Sequence, residues 1–146
     1  MSQEYITFTI GQKKNIALIA HDNEKQKLIA WCKEPKAERE KHNLYGTGTT
    51  ARMITDQTGL TVKGYNSGPL GGDQQIGAKI VEGVIDFVIF FSDPLTAQPH
   101  DPDVKALMRI ATVWNIPVAI NQSTADFLLT SSLFDQEINI DIPDYE

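Results

Sequence analysis

One stretch of the chain combines backbone constraint with a group able to take a proton: Ser67-Gly68-Pro69-Leu70-Gly71-Gly72-Asp73-Gln74-Gln75. Gly71-Gly72 opens φ/ψ values that other residues avoid, and Pro69 fixes one φ in mid-loop. Two readings of Asp73 follow. It occupies an N-cap position just ahead of the apolar-periodic Ile76, Ala78, Ile80 and Val81. Alternatively, the loop holds its carboxylate at the mouth of a sheet, where it serves as a general base. The rest of the chain decides between them.

A second stretch, Gly46-Thr47-Gly48-Thr49-Thr50, has the chemistry of an anion cradle. Glycines let backbone N–H groups approach, hydroxyls donate, and the next helix points its positive end there. No Gly-Lys-Ser/Thr follows, so it is not a nucleotide P-loop. With Ala51 it matches G-x-G-x-x-A, yet it follows the second strand, and no acid near residue 66 could hold a ribose. Ser67-Gly68 adds donors, and Lys25 could supply a point charge, although a lysine there is equally at home in solvent. His100-Asp101-Pro102-Asp103 sets two carboxylates at a helix start, where the dipole favours them. A neutral imidazole beside such a terminus can polarise a carbonyl. A mixed metal site from His21, Asp22, Asp93 and His100 lacks any recognisable ligand spacing.

The elements that must position these groups alternate between strand and helix. Asn15–Ala20 reads as a strand buried on both faces. It ends in His21-Asp22-Asn23, with Asp22 or Asn23 capping a helix through Lys25, Leu28, Ile29, Trp31 and Cys32 that Pro35 stops. Residues 36–42 are charged and expected in solvent. Asn43-Leu44-Tyr45 leads into the Gly-Thr loop and a helix ending at Gly59. Leu60–Tyr65 is a third strand, and Ile85–Phe91 is a fourth, ending in Ser92-Asp93-Pro94. Pro102 fits the first position of the next helix, which carries Val104, Leu107, Met108, Ala111 and Trp114 on one face. Pro117–Ile120 is a fifth strand, followed by a helix around Ala125–Leu129 and an extended piece, Ile138–Ile142. Met1–Gly11 alternates weakly, as an edge strand or a loose arm. The pattern predicts one α/β domain, residues 1–146. It is a three-layer sandwich with a five-stranded parallel sheet and helices on both faces. All the unusual residues then fall on one rim, beyond the carboxyl ends of the strands, where such sheets bind ligands.

Composition narrows the function. A net charge of −6 argues against nucleic acid or anionic lipid as partner. No apolar run approaches membrane-span length, and the N-terminus has no basic-then-apolar signal. Cys32 is the single cysteine, which rules out an intrachain disulfide and cysteine-based metal sites. A free thiol without a secretion signal fits a reducing cytoplasm.

Together these motifs resemble the methylglyoxal synthase family. The resemblance rests on A-H-D-N-E-K at 20–25, Y-G-T-G-T-T at 45–50, S-G-P-L-G-G-D-Q-Q at 67–75 and F-F-S-D-P-L…P-H-D-P-D-V-K-A-L at 90–107. A-T-V-W-N-I-P-V-A at 111–119 and I-P-D-Y at 142–145 extend it over nearly the whole chain. The domain that ends large carbamoyl-phosphate synthetase subunits shares the fold but is not expected to carry the Gly-Gly-Asp-Gln-Gln run with His-Asp-Pro-Asp.

The resemblance implies a Rossmann/flavodoxin-like fold and conversion of dihydroxyacetone phosphate to methylglyoxal and inorganic phosphate. It also implies a homohexamer, no metal or organic cofactor, and cooperative inhibition by inorganic phosphate. Asp73 would be the base, in a catalytic group with His100, Asp103 and Asp22, and Asp93 would support it. His21, Lys25, Thr47, Gly48, Thr49, Thr50, Ser67, Gly68 and His100 would contact the substrate. The competing expectation is a phosphate- or nucleotide-sensing regulatory domain of the same fold without turnover. Family members are expected to continue past Tyr145-Glu146 to an arginine that reaches a neighbouring subunit's phosphate region. That arginine is absent here, while Arg109 remains.

Overall fold

Residues 4–144 are described by a computed structural model. In chain order the elements are β1 (Tyr5–Ile10), β2 (Asn15–Ala20), α1 (Lys25–Lys33), α2 (Lys36–Glu40), β3 (Asn43–Thr47), α3 (Gly48–Thr58), β4 (Val62–Tyr65), α4 (Gly72–Val81), β5 (Phe87–Phe91), α5 (Asp101–Val113), β6 (Val118–Ala119), α6 (Gln122–Leu129) and β7 (Ile138–Pro143). Short 3-10 turns at Asp22–Glu24 and Gly68–Leu70 precede α1 and α4.

The two-residue period of a strand builds both cores at once. Ile16, Leu18 and Ala20 of β2, with Phe87, Ile89 and Phe91 of β5, pack on Leu28 and Cys32 of α1, Ile54 of α3 and Ala125 of α6. Ala17 and Ile19, with Val88 and Phe90, face Ile76 and Ile80 of α4 and Leu107 and Ala111 of α5. Strands buried on both faces cannot alternate with polar residues, which is why β2 and β5 are nearly continuous apolar runs. The parallel sheet has the order β4-β3-β2-β5-β6. The chain starts in the middle, builds outward to β4, then crosses to β5 on the other side of β2. Connections after β2 and β5 therefore diverge, and a crevice opens between their carboxyl ends. The expected five-stranded, three-layer architecture is the one observed.

Four local expectations are corrected. Helix α1 is capped by Glu24, not by Asp22 or Asn23, which lie in the preceding 3-10 turn. Pro35 ends α1, but residues 36–42 are not uniformly solvated: α2 forms, and Arg39 and His42 are buried. The Arg39 guanidinium stands 3.7 Å from the Trp31 ring centroid and donates to the Trp31 carbonyl at 3.2 Å. An amphipathic cation stacked on an aromatic face is invisible to a charge count. His42 Nδ1 accepts from the Lys14 N–H at 2.8 Å. Pro102 sits at the second position of α5, because Asp101 opens the helix after the N-cap His100. Asp73 is not an N-cap, as described below.

The weakly alternating β1 pairs antiparallel with β7, from Tyr5 opposite Pro143 to Ile10 opposite Ile138. Thr7 donates to Asp141 at 2.7 Å and Thr9 to Asn139 at 2.8 Å across the ribbon. Phe8 meets Trp114 edge-on at 5.5 Å and so ties the ribbon to the body. Met1 to Gln3 of the expected arm, Tyr145 of the last motif and the following Glu146 lie outside the described residues. Among the described residues no helix is long and apolar enough to cross a membrane.

Asp86 closes the other end of the sheet. Its carboxylate accepts from the Asn15 N–H at 2.9 Å, and its own N–H donates to the Asn15 carbonyl at 3.1 Å. Burial pushes the carboxyl up from 3.8 to about 6, against the pull of the Asn15 and Asp86 N–H groups and of Lys14. The folded state therefore binds this proton more tightly than the unfolded chain. That stability is fully present below pH 3.8 and lost as pH rises through about 6. Asp86→Asn keeps an acceptor for Asn15 and removes the titration. We expect the variant to gain on the parent protein by about 1–3 kcal/mol between pH 4 and pH 7.5 in urea unfolding. A stability difference that does not change with pH contradicts this assignment.

Candidate active site

The crevice beyond β2 and β5 contains a cavity of about 250 Å³. Its wall holds His21, Asp22, Lys25, Thr47, Gly48, Thr49, Thr50, Ser67, Gly68, Asp73 and His100, contributed by the loops after β2, β3, β4 and β5. Two further groups of the sequence reading, Asp93 and Asp103, are not on the wall; they hold or neighbour residues that are.

Asp73 lies in the first turn of α4, whose N-cap is Gly71 at φ 96°. The left-handed glycine starts the helix earlier than the cap reading placed it, so the carboxylate turns into the protein. It is 0% exposed. Among the described residues, neither carboxylate oxygen has a hydrogen-bond partner. Oδ2 stands 3.4 Å from Nε2 of His100. Burial raises the Asp73 carboxyl above its ordinary range. His100 opposes that shift and Asp103 adds to it. Desolvation is the largest influence on this carboxylate. Asp22 does not crowd Asp73. Its side chain is 89% exposed and bridges to Lys25 at 2.8 Å, which holds its carboxyl below the usual range.

The rings of His21 and His100 meet in a T-shaped arrangement, with centroids 5.5 Å apart. The Asp93 N–H donates to Nδ1 of His21 at 2.9 Å. Nδ1 therefore carries a lone pair and the ring proton sits on Nε2. Nε2 of His21 and Nδ1 of His100 are buried without a partner among the described residues, free to meet a ligand. Asp93 is itself fixed. Its carboxylate accepts from Asn23 at 2.9 Å and from the Leu95 N–H at 3.0 Å, bonds that hold it below the usual range, Asn23 first. Gly68 faces His100 so closely that a Cβ there would stand 2.6 Å from Nε2, so the loop after β4 forms one side of the imidazole's slot.

The opposite wall is rich in donors. Lys25 Nζ donates to Thr49 Oγ1 at 2.7 Å, which leaves the threonine proton free to point elsewhere. The N-cap of α3 is Thr47, with no side-chain cap bond, so the first N–H groups of that helix stay available to an anion. Gln75 locks the neighbouring loop by accepting from the Asn66 N–H at 2.7 Å. Sequence reasoning missed Ile19, Ala20, Pro69 and Gln98, which also line the cavity. It also missed Asn23 as the brace of Asp93. Gln98 stands two residues before His100, but an amide in an exposed loop gives no local signal. No group of three or more His, Cys, Asp or Glu side chains among the described residues could hold a metal ion.

An isolated, desolvated carboxylate facing an imidazole, beside an uncapped helix start with a lysine, suits proton abstraction from a small phosphorylated substrate. Comparison with known proteins gives the family. A family model described as an MGS-like domain matches residues 27–120. The chain is 58% identical over 140 residues to a methylglyoxal synthase of Vibrio parahaemolyticus, spanning 96% of this chain and 93% of that protein. It is 59% identical over 143 residues to one of Pectobacterium atrosepticum, spanning 98% and 94%. The chain belongs to the methylglyoxal synthase family. A crystal structure of methylglyoxal synthase from Elizabethkingia anophelis shares the fold, with a TM-score of 0.92 at 48% identity over 97% of this chain and 93% of that one. In this member of the methylglyoxal synthase family, the wall residues from Thr47 to His100 fall within the stretch that the family model matches, while Ile19, Ala20, His21, Asp22 and Lys25 precede it.

His21 gives the site a testable signature. Burial, with His100 next, lowers its pKa from 6.5, while Asp101, Asp93 and Asp22 oppose the shift. Imidazole nitrogen NMR should show His21 neutral at pH 7 with the proton on Nε2, and its titration midpoint should lie below 6.5. A midpoint above that value, or a proton on Nδ1, contradicts the Asp93 brace.

Proposed function

We propose that residues 1–146 form one domain that converts dihydroxyacetone phosphate to methylglyoxal and inorganic phosphate. The observation that carries this reading is Asp73, wholly buried with both oxygens unpartnered among the described residues, opposite His100 and across the cavity from the Lys25–Thr49 wall. Asp73 removes a proton from the hydroxyl-bearing carbon. The His100 imidazole donates to the carbonyl oxygen as charge develops there. The enediol then loses its hydroxyl proton as the aldehyde forms. The bridging C–O bond breaks and phosphate leaves with the bonding pair. The enol product tautomerises to methylglyoxal.

An isomerase would return the proton to the neighbouring carbon of the same intermediate. Elimination instead needs the C–O bond roughly perpendicular to the enediol plane, where it overlaps the π system. Setting that torsion falls to Lys25, the first N–H groups of α3, Thr47 to Thr50, Ser67 and Gly68. A misplacement of about 1 Å in such an arrangement costs on the order of a hundredfold. Asp22 keeps the Lys25 ammonium in place, and Asp93 keeps His21 in the Nε2–H form. Inorganic phosphate, as product, fits the same wall and inhibits.

Asp73→Asn removes the base but keeps the shape. We expect turnover to fall by about 10²–10⁴-fold, with phosphate binding unchanged within about tenfold. In the parent protein, kcat/KM should fall with decreasing pH through a midpoint above the ordinary 3.8, because the Asp73 carboxyl is raised. Near-native turnover by the asparagine variant overturns the base assignment.

A further inference from the structure

Gln74 follows the base in α4 but points away from the cavity. Its Nε2 donates to Oδ1 of Asp103 at 2.9 Å. Asp103 lies in the first turn of α5 and His100 is the N-cap of that helix. This one exposed bond therefore spans the starts of the two helices that carry Asp73 and His100. We propose that Gln74 is a positioning residue: it holds the Asp103 carboxylate at a fixed place beside Asp73 and so sets the field under which the base works.

The inference rests on the reading of Asp73 as a base. The residue type fits the task. An amide can hold a carboxylate without changing the charge there. A lysine at position 74 would neutralise Asp103, and a glutamate would repel it. A solvent-exposed bond between two neutral or singly charged side chains adds little to stability, so its main effect is on where Asp103 stands. The charged groups bearing on Asp73 are His100, from the segment before α5, and Asp103, from α5 itself. His21, Asp22 and Lys25 line the same cavity from the β2 side. Of these, Asp103 is the one that strengthens Asp73 as a base. If Asp103 swings into solvent, Asp73 becomes a weaker base and gives up its proton more readily.

Gln74→Met keeps the length of the side chain and removes the donor. We would make it alone and in an Asp103→Asn background and follow the Asp73 carboxyl carbon by NMR titration of the ligand-free protein. The expected result is a fall in the Asp73 midpoint in Gln74→Met, with no further fall when Asp103 is already asparagine, since coupled residues are not additive. In turnover assays the same variant should lose kcat several-fold, keep KM within about twofold and move the acidic limb to lower pH. The melting temperature should be unchanged. An unmoved midpoint overturns the proposal, and so does an equal shift in the Asp103→Asn background. The titration needs no turnover, so a parent protein that makes no methylglyoxal would sink the activity reading without deciding the role of Gln74.

Discussion

Everything at this site depends on keeping one carboxylate out of water. An unpaired ionised group in a protein interior costs several kcal/mol, and Asp73 has no hydrogen bond among the described residues to offset that. What remains is the start of α4, whose dipole favours a negative charge, and the imidazole of His100 at 3.4 Å. In the proposed mechanism that imbalance is what makes the group a base. A carboxylate given a cation or several donors is a poor base, as the exposed Asp22 on Lys25 and the braced Asp93 illustrate: both are held below the usual range. Three aspartates on one rim thus differ in basicity through their surroundings alone.

The scaffold divides the cavity into two chemical halves. On the side of α3 and Lys25, donors are plentiful and uncapped, suited to a dianion. On the side of α4 and α5, donors are scarce and the Asp73 carboxylate is dry. The division follows from the sheet. Helices α1 and α3 pack on one face, α4 and α5 on the other, and the site lies where the connections after β2 and β5 diverge. His21, at the end of β2, belongs to both halves: its backbone N–H donates to the Phe91 carbonyl at 3.2 Å, and its ring meets His100. Rigid strands buried on both faces keep these loops in register.

Much of this was legible in the sequence because it is imposed by periodicity. Ile16–Ala20 and Phe87–Phe91 had to be central strands, and once their order was known, His21, the Gly-Thr loop, Ser67-Gly68 and His100 had to share a rim. The failures are those of tertiary context. An N-cap and a buried first-turn carboxylate have the same local signature, and a left-handed Gly71 separates them only in three dimensions. Arg39 counts as a surface charge until Trp31 is found beneath it. The pairing of β1 with β7 joins segments more than a hundred residues apart with only weak alternation to announce it. Gln98 carries no pattern, and Asn23 reads only as a helix cap; they matter because the fold brings Gln98 to the cavity wall and Asn23 to the Asp93 carboxylate.

The most direct measurement is of stoichiometry. Purified protein incubated with dihydroxyacetone phosphate, without added metal, would be sampled for methylglyoxal and free phosphate together. The account predicts that both appear at equal rates, well above the uncatalysed decay of the substrate. Glyceraldehyde phosphate in place of methylglyoxal, or substrate bound without either product, would contradict it.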